Sequence, residues 1–600
     1  LRILLIAHSF NSLTQRTWCE LADRGHDVSL ELDITDDVTR EAVRLHAPDL
    51  VVAPYLRRAI PEDVWRRVPC LIVHPGIPGD RGPAALDWAI LERRTTWGVT
   101  VLEANAEYDA GDVWGASWFG MRPAAKGSLY RDEVANAAVA ALLAALDRRA
   151  RGESPQPQSA LDPATAGTWH SQPTRAERAI DWAADATDDV LRKLRASDST
   201  PGTPDEILGR PARLYDAHRG PVVSGAAPGQ WLGRRATAVL RATRDGSVWI
   251  GHAKREAPGS PASPDAPAAF KLPALLACPE AATLPERPLP GGLPFLVIPT
   301  TAGNPGTATG RTGTSGAGRD PTLAPDGEYA ELRYAEEGDV GHLAFDFYNG
   351  AMSVVQCERL CAALDFAAAR PTRVLVLLGG RDFWSNGLHL NVIEAADSAA
   401  DESWRNIHAI DDVAERILRI DSKLTVAALR GNAGAGGAFL ALAADRVWVR
   451  PGIVLNFHYR NMGNLYGSEF WTYTLPRRIG AAEAQRLIDQ RPPLLGRQAV
   501  ADGLADAAFG ADAESFVAEV RARAAALATA DDYAAQLAVK QARRASDESA
   551  KPLAKYREDE LARMRRSFYG FDTSYHVARH RFVHKAPHSW TPRHLAKHRA

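Results

Sequence analysis

Short apolar runs alternate with amphipathic stretches over the first 150 residues. The runs "RILLIAH", "DVSLELD", "DLVVAP" and "CLIVHPG" have the length of strands. A helical pattern between the first two ends at "ADRGH", where Gly25 suits a helix C-cap. A further helix is expected at about 132–150, followed by a polar, proline-containing break at 152–163. Strands alternating with helices predict a mostly parallel, doubly wound sheet. Ligands of such sheets sit beyond the carboxyl ends of the strands, and His74 falls just after the fourth run.

The pattern then changes. Residues 165–255 read as a smaller unit, with helical "DATDDVLRKLRA" and a hairpin of "ATAVLRAT" and "SVWIGHA" around Asp245-Gly246. Residues 256–328 are dominated by Pro, Gly, Ala, Ser and Thr without a hydrophobic period, which predicts a flexible linker. A second α/β unit begins near 329. Its strands are "GHLAFDF", "RVLVLLGG", "LTVAALRG" and "RVWV", and "VVQCERLCAALDFAAA" and "GAFLALAAD" are its helices. From about 478 the chain reads as helical, and it closes on a charged helix and a basic tail.

Composition narrows the function classes. A net charge of -2 supplies no global field for nucleic acid. No run approaches the roughly 20 apolar residues that span a bilayer, and the opening "LRILLIAH" is too short for a signal segment. Five scattered cysteines argue against a disulfide framework and for a cytoplasmic protein. Cys357 and Cys361 fall four apart on a helix, and two small buried side chains explain them more simply than a redox pair.

The first chemical constellation is "HPGIPGDRGPAALDWAI" at 74–90, "GVT" at 98–100 and "YDAGDV" at 108–113. The Gly/Pro-rich loop can bring backbone amides close to a ligand. Asp109 can orient His74 and stabilise its charged form. A lone His beside Pro is ordinarily a loop residue, so the weight lies on the combination. Together with "AIDWAADATDDVLRKLRA" and "ARLYDA", it resembles the folate-dependent formyltransferases. That resemblance implies His74 and Asp109 as catalytic residues and Arg81, Gly82, Gly98 and Thr100 as folate-binding ones. One departure stands out: the family's formyl-binding Asn falls on Ile72, which cannot donate a hydrogen bond.

The second constellation, "RDFWSNGLHLN" at 381–391 and "RGNAGAGGAFLALAADRV" at 430–447, resembles the enoyl-CoA hydratase/isomerase (crotonase) family. The resemblance implies a thioester oxygen held by the N–H groups of Leu388 and Gly436, with Gly387 and Gly437 beside them. "GAGG" also serves simply to pack a helix tightly on a strand. The two hydratase glutamates align with Phe439 and Tyr459, so hydration of an enoyl-CoA is not expected. "NFHYRNMGNLYGSEFWTYTLPRRIG" at 456–480 instead offers Tyr459 and Glu469 as proton-transfer groups or as hydrogen-bonding residues at the core edge.

A third pattern, His576, His580, His584 and His588, has helical spacing. Pro587 interrupts it and its surroundings are basic, so a solvated tail is expected there, with no metal.

Formyltransferase and crotonase modules in one chain, with the form "HPG…GDRGP…LDWAI" and "SFNSLTQR", resemble the HypX (HoxX) family of hydrogenase maturation factors. The expected layout is a formyltransferase N-terminal-like domain at 1–163 and a small α+β or β-barrel-like domain at 164–255. The linker at 256–328, a crotonase-like α/β domain at 329–545 and a helix with a basic tail at 546–600 follow. The resemblance implies N10-formyl-tetrahydrofolate and coenzyme A as substrates, carbon monoxide as product and other hydrogenase maturation proteins as candidate partners. Nucleic acid and membrane are not expected partners. Formylation of an amine beside a passive CoA-binding module, or a non-catalytic ligand-delivery scaffold, stays open at this point.

Overall fold

The computed structural model describes residues 1–256, 270–299, 323, 325 and 327–599. Two compact units emerge, Leu1–Pro285 with His584–Ala600, and Glu286–Val583.

The first unit opens with β1 (Arg2–Ala7), α1 (Ser12–Asp23), β2 (Asp27–Leu32), α2 (Asp36–His46), β3 (Leu50–Tyr55) and β4 (Cys70–His74). The strands β5 (Thr96–Glu103) and β6 (Val113–Gly120) and the helix α3 (Ala135–Ala150) follow. The sheet runs β2–β1–β3–β4–β5–β6, parallel as far as β4 and antiparallel beyond it. The unbroken apolar runs of β1 and β3 fit strands covered on both faces. Antiparallel β5 sets Thr100 opposite His74.

A smaller sheet comes next. After α4 (Thr187–Ser197) come β7 (Thr203–Ile207), β8 (Arg210–Gly220), β9 (Trp231–Arg235), β10 (Ala238–Ala242) and β11 (Ser247–Arg255), in the order β7–β8–β11–β10–β9. The expected hairpin is β10–β11. Asp245 in its turn also accepts the N–H and hydroxyl of Thr187 at the start of α4.

The linker expectation is corrected for residues 270–299. Leu272–Pro273 pairs with β11, and Ala274, Ala277, Cys278 and Ala281 join the core of the small sheet. Phe295 is buried in the second unit beside a strand at Leu296–Ile298. Composition averaged over the whole stretch hid two apolar islands, "LPALLA" and "LPFLVI". The remainder of the expected linker, residues 257–269 and 300–322 with 324 and 326, lies outside the described residues.

The second unit contains β12 (Leu296–Ile298), β13 (Leu332–Glu337), β14 (Val340–Phe345), α5 (Val354–Ala369), β15 (Val374–Leu378), β16 (Phe383–Ser385) and α6 (Ala399–Arg419). Then come β17 (Leu424–Leu429), β18 (Asn432–Gly434), α7 (Gly436–Ala441), β19 (Arg446–Val449), β20 (Val454–Asn456), β21 (Pro493–Leu495) and β22 (Ala507–Ala508). One sheet has the order β12–β13–β14–β15–β17–β19–β22, and a smaller one β16–β18–β20–β21. Four helices close the unit: α8 (Ala513–Thr529), α9 (Tyr533–Ala550), α10 (Leu553–Tyr569) and α11 (Ser574–Val583). Leu553, Leu561, Met564 and Phe568 form a buried stripe on α10 and enter the main core.

The solvated-tail expectation is also corrected. Only His576 and His580 of the four histidines lie on α11. The Nε2–H of His576 donates to the Phe568 carbonyl, and His580 Nδ1 is 2.8 Å from Glu394. Past α11 the chain covers the edge strand β2. Leu30 N–H donates to the Leu595 carbonyl at 3.0 Å and Leu32 N–H to the Thr591 hydroxyl at 2.9 Å. This explains why Ser29 and Glu31, polar positions on an alternating strand, are buried. His598, Arg599 and Thr591 converge on the Glu31 carboxylate. Burial alone would raise its pKa, but these donors outweigh burial and hold it below the ordinary 4.5.

Glu31→Ala is therefore expected to lower the stability of the first unit at pH 7 by about 2–3 kcal/mol, measured by urea unfolding. The depressed pKa places this contribution above pH 4.5 and removes it as pH falls through the folded value. The gap between variant and parent is expected to narrow in acid; a gap unchanged down to that range would contradict the assignment.

Candidate functional sites

In the first unit, β4 ends at His74, which is buried. Its Nε2 is 2.8 Å from Asp80 Oδ2, and its Nδ1 faces Asp109 Oδ1 at an ion-pair distance of 3.4 Å. Asp109 has a left-handed backbone, φ 55°, and its Oδ2 accepts the Gly82 N–H at 3.1 Å. Gly76 has no room for a side chain: a Cβ there would lie 2.3 Å from Asp80 Oδ2 and 2.4 Å from His74 Nε2. The Thr100 hydroxyl donates to the Gly76 carbonyl at 2.8 Å. A Cβ on Gly98 would lie 3.0 Å from the Ser117 carbonyl oxygen, so this glycine lets β5 and β6 approach closely. Thr100 thus ties down the loop that carries the site. Arg81 turns toward Glu107 and Gln158, at 3.0 and 3.2 Å.

Electrostatics sets the protonation state. Burial works against charge on His74, but Asp109 and Asp80 outweigh it and push its pKa up to about 9. Asp109 moves the opposite way: burial raises it, while His74, the Gly82 amide and Arg81 together bring it below the usual value. The pair rests as imidazolium and carboxylate at neutral pH; with Nε2 facing Asp80 and Nδ1 facing Asp109, what His74 offers a developing oxyanion is its positive charge. Asp80 was not singled out from sequence, although it lies inside the quoted "GDRG" loop six residues past His74.

In the second unit, the parallel strands β16, β18 and β20 deliver residues 386–388, 435–436 and 457–459 to one end of the small sheet. Among the described residues, neither the Leu388 nor the Gly436 N–H finds an acceptor. Gly387, φ 74°, brings its segment so close that a Cβ on it would be 3.2 Å from Gly436 N. A Cβ on Gly437 would sit 2.0 Å from the Ser385 carbonyl oxygen, so that glycine packs α7 against β16. Ala435, which precedes the Gly436 amide, holds φ 48° and ψ −129°, a strained conformation for a residue with a side chain.

Two side-chain tips converge on Gly436. A Cβ there would lie 2.2 Å from Glu469 Oε1 and 3.0 Å from the Tyr459 hydroxyl. Both atoms are buried without a hydrogen-bond partner, as is His458 Nδ1. Unsatisfied buried polar atoms are costly, and their clustering beside a free amide marks a place for a ligand. Phe439 and Tyr459 stack with centroids 4.8 Å apart and planes at 4°. Burial, then the neighbouring Asp411 and Glu560, push the Glu469 carboxyl well above its ordinary value. Burial also lowers His458, keeping that imidazole neutral.

Asp411 and Glu560 were missed from sequence. The available signal was a carboxylate on an apolar helical stripe: Asp411 falls among Ile407, Ile410 and Ala414, and Glu560 beside Leu561 and Met564.

Comparison with known proteins supports the two-site layout. Family models for "Formyl transferase" match residues 31–146, for "Formyl transferase, C-terminal domain" residues 173–260, and for "Enoyl-CoA hydratase/isomerase" residues 349–593. The hydrogenase maturation factor HoxX of Bradyrhizobium diazoefficiens is 51% identical over 601 residues, covering 100% of this chain and 97% of that protein. The crystal structure of HypX from Aquifex aeolicus in complex with tetrahydrofolic acid superposes with a TM-score of 0.89 at 44% identity, covering 100% and 99% of the two chains. A methionyl-tRNA formyltransferase of Chloroflexus aggregans is 31% identical over 218 residues, 34% of this chain and 65% of its own. With identity to HoxX running along the full chain, and with both modules in the same order, this protein belongs to the HypX (HoxX) family of hydrogenase maturation factors.

Proposed function

We propose that this chain makes carbon monoxide in two steps, in the cytoplasm, for hydrogenase maturation partners. The first unit would transfer formyl from N10-formyl-tetrahydrofolate to the thiol of coenzyme A. The second would decarbonylate the resulting formyl-CoA. The observation that carries this reading is the meeting of the buried, unpartnered Tyr459 hydroxyl and Glu469 Oε1 at the free Gly436 amide, where the hydratase carboxylates are replaced. Tetrahydrofolate bound to the Aquifex relative supports the donor, and the crotonase-type amide pair supports a thioester.

In the first step sulfur bonds to the formyl carbon, the bond from that carbon to N10 breaks, and the proton given up by the thiol ends on N10. The His74 imidazolium, kept charged by Asp80 and Asp109, stabilises the tetrahedral oxyanion; Arg81, Gly82, Gly98 and Thr100 shape the folate side. In the second step the Leu388 and Gly436 amides hold the thioester oxygen. The ionised Glu469 takes the formyl hydrogen as a proton, the C–S bond breaks, and CO leaves. The proton returns to the thiolate sulfur, so the step is redox-neutral. Tyr459 orients the carboxyl or the thioester.

The direct test supplies the protein with formyl-tetrahydrofolate and CoA and traps CO with deoxyhaemoglobin. A formylated amine without CO would overturn the reading. His74→Ala and Asp109→Asn are expected to abolish formyl transfer with the fold intact; consumption of the folate donor at the parent rate would sink the first-site assignment.

Glu469→Gln is expected to keep formyl transfer yet lose on the order of 100-fold or more in CO release from supplied formyl-CoA. Tyr459→Phe should lose less, roughly tenfold, as for one hydroxyl. The two steps should also respond oppositely to pH. Transfer is expected to decline as pH rises through about 9, where His74 loses its charge. Decarbonylation is expected to increase with pH, because the raised pKa of Glu469 leaves little of its basic form in acid. Stopped assays of each half-reaction across pH check both limbs; parallel profiles would contradict the assignment of roles.

A further inference from the structure

The turn that carries Glu469 has an unusual backbone. Glu469 and Phe470 are consecutive non-glycine residues with left-handed conformations, φ 59° and 58°. Such a pair is strained unless the surroundings impose it. Here two buried carboxyls do so. Asp411, on α6, accepts the Glu469 N–H at 2.8 Å and the Ser468 hydroxyl at 2.6 Å. Glu560, on α10, accepts the Phe470 N–H at 3.0 Å and the Thr472 N–H at 2.8 Å. The Ser468 hydroxyl also lies 3.4 Å from Glu560 and so bridges the two. Asp411 and Glu469 are fully buried and Glu560 almost so.

We propose that Asp411 and Glu560 are positioning residues of the Glu469 site: they fold residues 468–472 around their carboxyls and fix Glu469 Oε1 against Gly436, and Asp411 keeps negative charge beside it. This rests on the reading that Glu469 is the proton acceptor. Three acidic groups packed together need a purpose, since apolar side chains would stabilise the core at lower cost. A nearby cation is only partly available: Arg557 Nε is 3.9 Å from Asp411 Oδ2, while its guanidinium pairs with Asp412 at 2.7 Å and Glu415 at 2.9 Å.

The remaining groups around the site are Cys357 from α5, whose thiol is itself pushed well up by burial, and Tyr459 from the segment after β20. Neither brings positive charge to Glu469. Burial raises Asp411 to about 6 and Glu560 to about 8. At neutral pH, then, Asp411 is mostly ionised and Glu560 mostly protonated. Asp411 supplies most of the charge that makes Glu469 hold its proton tightly, and a carboxyl that holds a proton tightly is a strong base once ionised. Glu560 contributes mainly the fold of the turn.

The test uses the full chain and reads Glu469 directly. The infrared C=O band of its protonated carboxyl is identified as the band missing in Glu469→Gln, then followed across pH without substrate. Removing the adjacent charge favours ionisation, so Asp411→Asn should shift the loss of that band to lower pH by about one unit. Glu560→Gln should shift it less. Thr472→Val, which deletes one donor to Glu560 and disturbs the fold least, should give a small shift in the same direction. CO release from formyl-CoA by Asp411→Asn should show a midpoint moved by the same amount, with a lower plateau. A role limited to folding would lower the plateau and leave the midpoint in place. A band whose midpoint is unmoved in all three variants overturns the proposal. A shifted band in a protein that releases no CO upholds it and overturns the decarbonylation reading instead.

Discussion

An ionisable side chain taken out of water keeps its charge only if its neighbours compensate for the lost hydration, and both sites of this protein are built around that constraint. His74 and Glu469 are both buried, and each has two acidic neighbours. The same kind of neighbour gives opposite results because the central groups differ in sign. Beside Asp80 and Asp109 an imidazole is held protonated and positive; beside Asp411 and Glu560 a carboxyl is held protonated and neutral. One arrangement keeps a positive charge ready for developing negative charge, the other a proton carrier of high affinity.

Close approach is the second requirement, and glycine meets it at two points. Gly76 lets the loop after β4 pass over the His74–Asp80 contact, and Gly436 lets Tyr459 and Glu469 reach a backbone amide. At either position even a methyl group would occupy the space in which the polar atoms meet. The strain at Ala435, Glu469 and Phe470 lies on the two segments that face each other there. At Glu469 and Phe470 the cost is offset by the hydrogen bonds that Asp411 and Glu560 make to the turn.

Local signals made the architecture legible, and the misses arose where distant parts of the chain meet. The apolar runs of β1, β3 and β4 and the Asp245-Gly246 hairpin could be read because periodicity and turn chemistry are local properties. His74, Asp109, the Gly436 segment, Tyr459 and Glu469 stood out because each lies in a motif or replaces one. Asp80 was within a quoted motif, but nothing local says that it touches His74. Asp411 and Glu560 sit 58 and 91 residues from Glu469, respectively, on helices whose pattern otherwise reads as ordinary core. Polar Ser29 and Glu31 read as a solvent face until residues 591–599 cover them, a contact spanning more than 550 residues. Composition failed at 270–299 for a simpler reason: a long average conceals two short apolar islands.

Phe439 and Tyr459, where the resemblance to hydratases leads one to expect two carboxylates, bear on what the amides can do in the proposed reading. Hydration requires a water placed between two acidic groups, whereas loss of CO requires that water be kept from an easily hydrolysed thioester. The Phe439–Tyr459 stack and the buried Glu469 carboxyl lie close to Gly436, and none of the polar atoms they bring to it is exposed to water. In such surroundings a hydrogen bond from the amide to a thioester oxygen is stronger than in water. The same exclusion of water raises the proton affinity of Glu469. Burial thus serves the proposed chemistry twice, protecting the thioester and strengthening the base that attacks it. In the proposed reading, two aromatic rings where hydratases are expected to carry two acids suit the site to releasing a small apolar gas in place of adding water.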